Sequence, residues 1–138
     1  MTSKGHPAFL DTSVVVRYLT GDVPDLAERA SRIIDSGEPL ILSELVLAET
    51  AYVLSSVYQV PRARIVDVLI EFVGRRNVEM LNTSKTRVFE ALALCRPSKR
   101  VSFVDALLWA EARDRRVSRV YSFDGRFPGD GLHIDPGT

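Results

Sequence analysis

Ala8-Phe9-Leu10-Asp11-Thr12-Ser13-Val14-Val15-Val16-Arg17-Tyr18-Leu19-Thr20-Gly21 is the stretch that decides the fold. Three apolar residues, an abrupt Asp-Thr-Ser and a second apolar run closed by glycine read as a buried strand feeding a short helix. Downstream, Asp22-Val23-Pro24-Asp25 opens a helix to about Ser36, with Leu26, Ala30, Ile33 and Ile34 on one face and Gly37 at its end. Pro39 to Leu42 reads as a second strand. Ser43 caps a helix from Glu44 to about Tyr58, and Pro61 begins another that ends near Gly74, giving a helical hairpin. Val78 to Leu81 is a third strand, Thr83 to about Cys95 and Ser102 to about Arg115 are helices, Val117 to Tyr121 is a strand and Leu132 to Ile134 an edge strand. Strands separated by helices of this length need crossovers, so the expected fold is α/β: a three-layer α/β/α sandwich on a mainly parallel central sheet of four to five strands. Ligands of such sheets bind beyond the carboxyl ends of the strands.

The chain has 138 residues, 46% hydrophobic and 26% charged, and no linker or repeat divides it, so one domain over 1–138 is expected. The one cysteine, Cys95, has no partner for a disulfide or a zinc motif and reads as a small buried hydrophobe in a protein of a reducing compartment. No signal peptide opens the chain and no run is long enough to span a membrane, so a cytoplasmic protein without a membrane partner is expected. Eighteen basic and 18 acidic residues cancel, which argues against binding nucleic acid through a large net charge. Fifteen of the basic residues are arginines, the side chain suited to bidentate phosphate contacts. The densest basic stretch holds Arg96, Lys99, Arg100, Arg113, Arg115, Arg116 and Arg119, mostly a solvated helix face; Lys99 and Arg100, just before the helix bearing Asp105, are the candidates for contact with the phosphate backbone of a nucleic acid.

Four acids stand out, and each has an ordinary explanation. Asp11 after the first strand suits a helix cap, Asp124 in Ser-Phe-Asp-Gly-Arg suits a turn, and Asp105, three residues after Ser102, suits a capping box. Glu49 lies in Leu45-Val46-Leu47-Ala48-Glu49-Thr50-Ala51-Tyr52-Val53-Leu54, apolar on nearly every side, so it is expected to be buried and to need a cation, a metal or a raised pKa, a salt bridge to an arginine being the ordinary option. Together the four say more. Two follow strands at their carboxyl ends and two sit in the first turns of apolar helices, where carboxylates converging at one sheet edge call for a divalent cation. Oxygen ligands without His or Cys select Mg²⁺ or Mn²⁺, and such a cluster suits phosphodiester hydrolysis.

At these residues the sequence resembles a known family. Asp11-Thr12-Ser13-Val14-Val15-Val16-Arg17-Tyr18-Leu19-Thr20-Gly21-Asp22, Ser43 to Thr50, Ser102-Phe103-Val104-Asp105-Ala106-Leu107 and Tyr121-Ser122-Phe123-Asp124 are similar to the PIN domain, in its VapC-type toxin branch, over Phe9 to about Ile134. The resemblance implies an endoribonuclease in which Asp11, Glu49, Asp105 and Asp124 ligate Mg²⁺ or Mn²⁺, with Thr12, Ser13 and Ser122 at the hydroxyl positions beside them. It also implies a homodimer, formed here by the apolar hairpin Leu45 to Phe72, and a cognate antitoxin of a toxin–antitoxin pair. Ser13 stands where Asn is common, and Ser122 where Thr is frequent.

Other classes find less support. A catalytically inactive PIN-like RNA- or protein-binding module is the alternative, opposed by the presence of all four acids. Phosphotransferases that use an Asp after the first strand want a second two residues on, where Ser13 stands. No phosphate-binding glycine loop exists. His6 and His133 are incidental, and Tyr18, Tyr52 and Trp109 suit core or dimer contacts.

Overall fold

The computed structural model describes residues 6–137; residues 1–5 and 138, the extremes of the expected domain and the start of the segment searched for a signal, lie outside the described residues. The chain runs β1 (Ala8–Phe9), α1 (Thr12–Thr20), α2 (Pro24–Ile34), β2 (Leu40–Leu42), α3 (Glu44–Ser56), α4 (Arg62–Val73), β3 (Val78–Met80), α5 (Lys85–Cys95), α6 (Phe103–Asp114), β4 (Arg119–Tyr121) and β5 (His133–Asp135). Among the described residues every strand pairing is parallel, as the crossover argument requires. The strands form two ladders rather than one central sheet of four to five: β1-β2-β3 and β4-β5. β1 has only two residues before the chain turns at Asp11 to start α1, which leaves a short ladder on that side.

Helix starts follow local chemistry. Asp11, Ser43, Ser84 and Ser102 each accept a backbone N–H of the following first turn. α1 begins at Thr12, two residues before its apolar run, because Asp11 itself is the cap. Gly21 ends α1 in the left-handed region, φ 65°, where a Cβ is disfavoured. β4 starts at Arg119 rather than Val117 because Val117 N–H donates to Ala112 O and Arg116 N–H to Arg113 O, closing the end of α6.

The core is one cluster, with Val15, Leu42, Leu47, Ile65, Leu69, Phe72, Val78, Val88, Leu92 and Trp109 fully or almost fully buried. Cys95 is buried within it, and that burial pushes its thiol up to about 11, in keeping with an inert hydrophobe. α3 packs against α1, α4 and α6. No helix among the described residues is long and apolar enough to cross a membrane.

Candidate active site

Asp11 sits where β1 becomes α1 and performs two tasks at once. Its Oδ2 accepts the Ser13 backbone N–H at 3.1 Å, which caps the helix, and the Ser13 hydroxyl at 2.5 Å. The Ser13 hydroxyl and N–H hold the Asp11 carboxyl below the usual range. Oδ1 makes no hydrogen bond among the described residues and remains available. One residue on, buried Thr12 donates its hydroxyl to Glu49 Oε1 at 2.6 Å and ties α1 to α3. Asp11, Thr12, Ser13 and Glu49 line one cavity of about 450 Å³ together with Val16, Arg17, Val53, Val57 and Tyr58.

Glu49 corrects an expectation. It is exposed, not buried, and its partner is a hydroxyl rather than an arginine. α3 is not enclosed on every side: Leu45, 82% exposed, and Tyr52, 69% exposed, share the open face with Glu49. The carboxylate that α3 does bury is Glu44, 6% exposed, which accepts the Asn82 backbone N–H at 3.1 Å and the Asn82 amide at 3.2 Å and pins the loop after β3. Its position beside Ser43 was the only sequence signal for that role.

Asp105 and Asp124 form a second group. Ser102 caps α6 through the Asp105 N–H at 3.0 Å, while the half-buried Asp105 carboxylate makes no hydrogen bond among the described residues. Asp124 is the turn residue its sequence suggests: Ser122 Oγ accepts the Asp124 N–H at 3.1 Å, and Asp124 Oδ1 accepts the Arg126 N–H at 2.9 Å. Arg126 then folds back, donating from Nε to Oδ1 at 3.1 Å and from Nη2 to Oδ2 at 3.3 Å. This guanidinium holds the Asp124 carboxyl below its ordinary value, and the Arg126 pKa is raised in return, chiefly by Asp124 with a smaller contribution from Asp105. Arg100 also acts on Asp124 through space, which sets this RNA-contact candidate on the acidic side of the molecule; Lys99 is exposed beside it. Other members of the basic stretch are occupied elsewhere, Arg96 with Asp67, Arg113 with Asp130 O, and Arg119 with Asp135.

The four expected acids thus fall into two groups. Among the described residues no three His, Cys, Asp or Glu side chains gather closely enough to hold one ion. The donor chemistry nevertheless fits a hard cation at the Asp11–Glu49 pair, since Mg²⁺ commonly takes one or two carboxylates and fills its shell with water and substrate phosphate. Nothing local in the sequence assigns a role to Arg17, Asp22 or Tyr58; for Arg126 the Asp-Gly-Arg spacing is the available signal.

The chain matches no curated protein. The profile of the PIN domain family matches residues 8–129, from β1 past β4, and takes in Asp11, Glu49, Asp105 and Asp124. PIN domains are a nuclease family whose members generally bind divalent metals. With the family pattern spanning nearly the whole chain and every acid of the two groups, this protein belongs to the PIN domain family.

Proposed function

We propose that this protein is a Mg²⁺- or Mn²⁺-dependent endoribonuclease acting as the VapC-type toxin of a toxin–antitoxin pair. The observation that carries the reading is the cavity shared by Asp11 and Glu49, each steadied by a neighbouring hydroxyl and each reachable from solvent. Asp11 and Glu49 would hold the ion, with Asp105 and Asp124 completing the acidic surround. When bound, a divalent ion supplies an activated water and neutralises charge that develops on the phosphate. Ser13 and Thr12 fix the Asp11 and Glu49 carboxylates in place, so little reorganisation is needed as charge shifts. Ser122 shapes the turn that presents Asp124, and Lys99 and Arg100 meet the RNA backbone.

Dimerisation and antitoxin binding belong to the same reading. Leu45 and Tyr52 on α3, with Val104 and Leu108 on α6, are large apolar side chains left exposed, and a second copy would cover them. Light scattering is expected to give twice the chain mass.

The alternative, a PIN-like binding module without activity, draws on one observation: both oxygens of Asp124 are already satisfied by Arg126. Incubating total RNA with the purified protein plus Mg²⁺, Mn²⁺ or chelator, beside Asp11→Asn and Asp105→Asn, separates the two. Metal-dependent cleavage lost in both variants is the expected result. No cleavage under any condition, with no metal binding by calorimetry, would leave the module.

A further inference from the structure

The cavity does not stop at the acids. It runs on to Arg17 and Tyr58, with Val16, Val53 and Val57 as an apolar wall. Arg17 is fastened at one corner only. Its Nη1 donates to both oxygens of Asp22, at 2.9 and 3.1 Å, and to the Tyr58 hydroxyl at 3.1 Å. Tyr58 in turn donates to Asp22 Oδ2 at 2.5 Å, and Thr20 donates to Asp22 Oδ1 at 2.9 Å. A guanidinium carries five N–H donors, and those on Nε and Nη2 make no hydrogen bond among the described residues. Asp22, Tyr58 and helix α1 therefore hold a planar fork in one orientation with its remaining donors unspent, on the lining of the same cavity as Asp11 and Glu49.

Resting on the nuclease reading, we propose that the Arg17–Tyr58 end is a nucleotide subsite, taking the phosphate and base of the RNA residue next to the phosphate cleaved at Asp11 and Glu49. Arg17 follows Asp11 by six positions, about 9 Å along the axis of α1, which leaves room for one nucleotide between the two ends. The order of surfaces fits that ligand. The acids take one phosphate through a cation, Val53, Val57 and the Tyr58 ring offer an apolar bed for a base, and the free edge of Arg17 donates to the next phosphate. Asp22 cancels most of the net charge of Arg17, so the contribution is directional hydrogen bonding rather than attraction at a distance. A segment of protein carrying a carboxylate would use the same fork but gains nothing from the acidic end.

The test measures binding apart from cleavage. A labelled single-stranded hexaribonucleotide is titrated with the full-length protein by fluorescence anisotropy, with Ca²⁺ replacing Mg²⁺, and cleavage of the same RNA is followed separately in Mg²⁺. Arg17→Ala and Tyr58→Ala are each expected to weaken binding about tenfold, and in cleavage to act mainly on KM. Arg17→Lys, which keeps the charge and loses the fork, stays impaired. Because Arg17 and Tyr58 also brace α1, the exposed wall supplies variants with no structural burden: Val57 is 66% exposed. Val57→Glu weakens and Val57→Lys tightens RNA binding if a nucleotide crosses that wall. Wild-type Kd and KM in Arg17→Ala and in both Val57 variants overturn the subsite, even while metal-dependent cleavage persists and the nuclease reading stands. Loss of RNA binding in the same variants of a protein that never cleaves supports the subsite and overturns the nuclease reading.

Discussion

The two acidic groups are held by opposite means. Asp11 and Glu49 are steadied by neutral hydroxyls, from Ser13 and Thr12, which leave both negative charges in place. Asp124 is steadied by the guanidinium of Arg126, which cancels its charge and lies within electrostatic reach of Asp105. A hydroxyl orients a carboxylate for an incoming cation; an arginine already is the cation. On the proposed reading the α1–α3 side is the one open to a metal, whereas Asp124 is already paired with Arg126.

The contrast is broken most severely by removing one acid from each group. Asp11→Asn is expected to cut kcat/KM for RNA cleavage by on the order of 10²–10³, the scale for losing a preorganised charge-stabilising group. Asp124→Asn, whose charge is already compensated, is expected to cost about tenfold. Initial rates on one labelled RNA at saturating Mn²⁺ compare the two, and equal losses would erase the distinction between the groups.

Next in size is the hydroxyl that orients Glu49. Thr12→Val conserves shape at a buried position and deletes only the donor at 2.6 Å from Glu49 Oε1. A loss of about tenfold in cleavage is expected, with Thr12→Ser restoring most of it, since supporting hydrogen bonds to metal-site ligands commonly carry that much. If Thr12→Val cleaves normally, orientation by hydroxyls is not what makes the α1–α3 side competent.

What the sequence disclosed follows the range of the interactions. Caps at Asp11, Ser43 and Ser102 are contacts within three residues, and their helices start where those residues stand. The parallel pairing was legible from crossover length. The exposure of Glu49 is not legible in the sequence because an apolar helix need not be an enclosed one; whether Leu45 and Tyr52 are covered depends on which neighbours α3 has, and that is set by packing rather than by period. The Tyr58–Asp22 contact joins residues 36 apart and left no local trace. Arg126 is the instructive middle case: its grip on Asp124 spans two residues, yet the same Asp-Gly-Arg spells an ordinary turn, and the turn is also present.

A smaller effect tests the grip directly. Arg126→Ala removes the guanidinium from both oxygens of Asp124 and leaves only the backbone N–H of residue 126 on Oδ1, and Mn²⁺ binding by calorimetry is expected to tighten roughly two- to fivefold, the range of an exposed ion pair. Unchanged affinity would mean that Asp124 stands outside the ion's reach in either state, and the metal would then rest on Asp11 and Glu49 with Asp105.

The smallest effect separates the groups by salt. Asp11 and Asp124 both have carboxyls below the ordinary range, but Ser13 hydrogen bonds cause the first, and the Arg126 guanidinium, followed by the Arg126 backbone N–H, the second. Asp22 goes further, to about 2, through the Tyr58 hydroxyl and then Thr20 and Arg17. A carboxyl whose folded pKa is depressed lends stability above its unfolded value and loses it as pH falls through the folded one, so all three weaken the fold as pH drops from about 4 toward 2. Concentrated salt screens an exposed ion pair far more than a short hydrogen bond between neighbours. Carboxyl-carbon NMR titrations in low and high salt should therefore show Asp124 rising toward its ordinary value while Asp11 stays depressed. The opposite ranking would mean that a distant cation rather than Ser13 holds Asp11, and the two sides of the site would then differ in degree and not in kind.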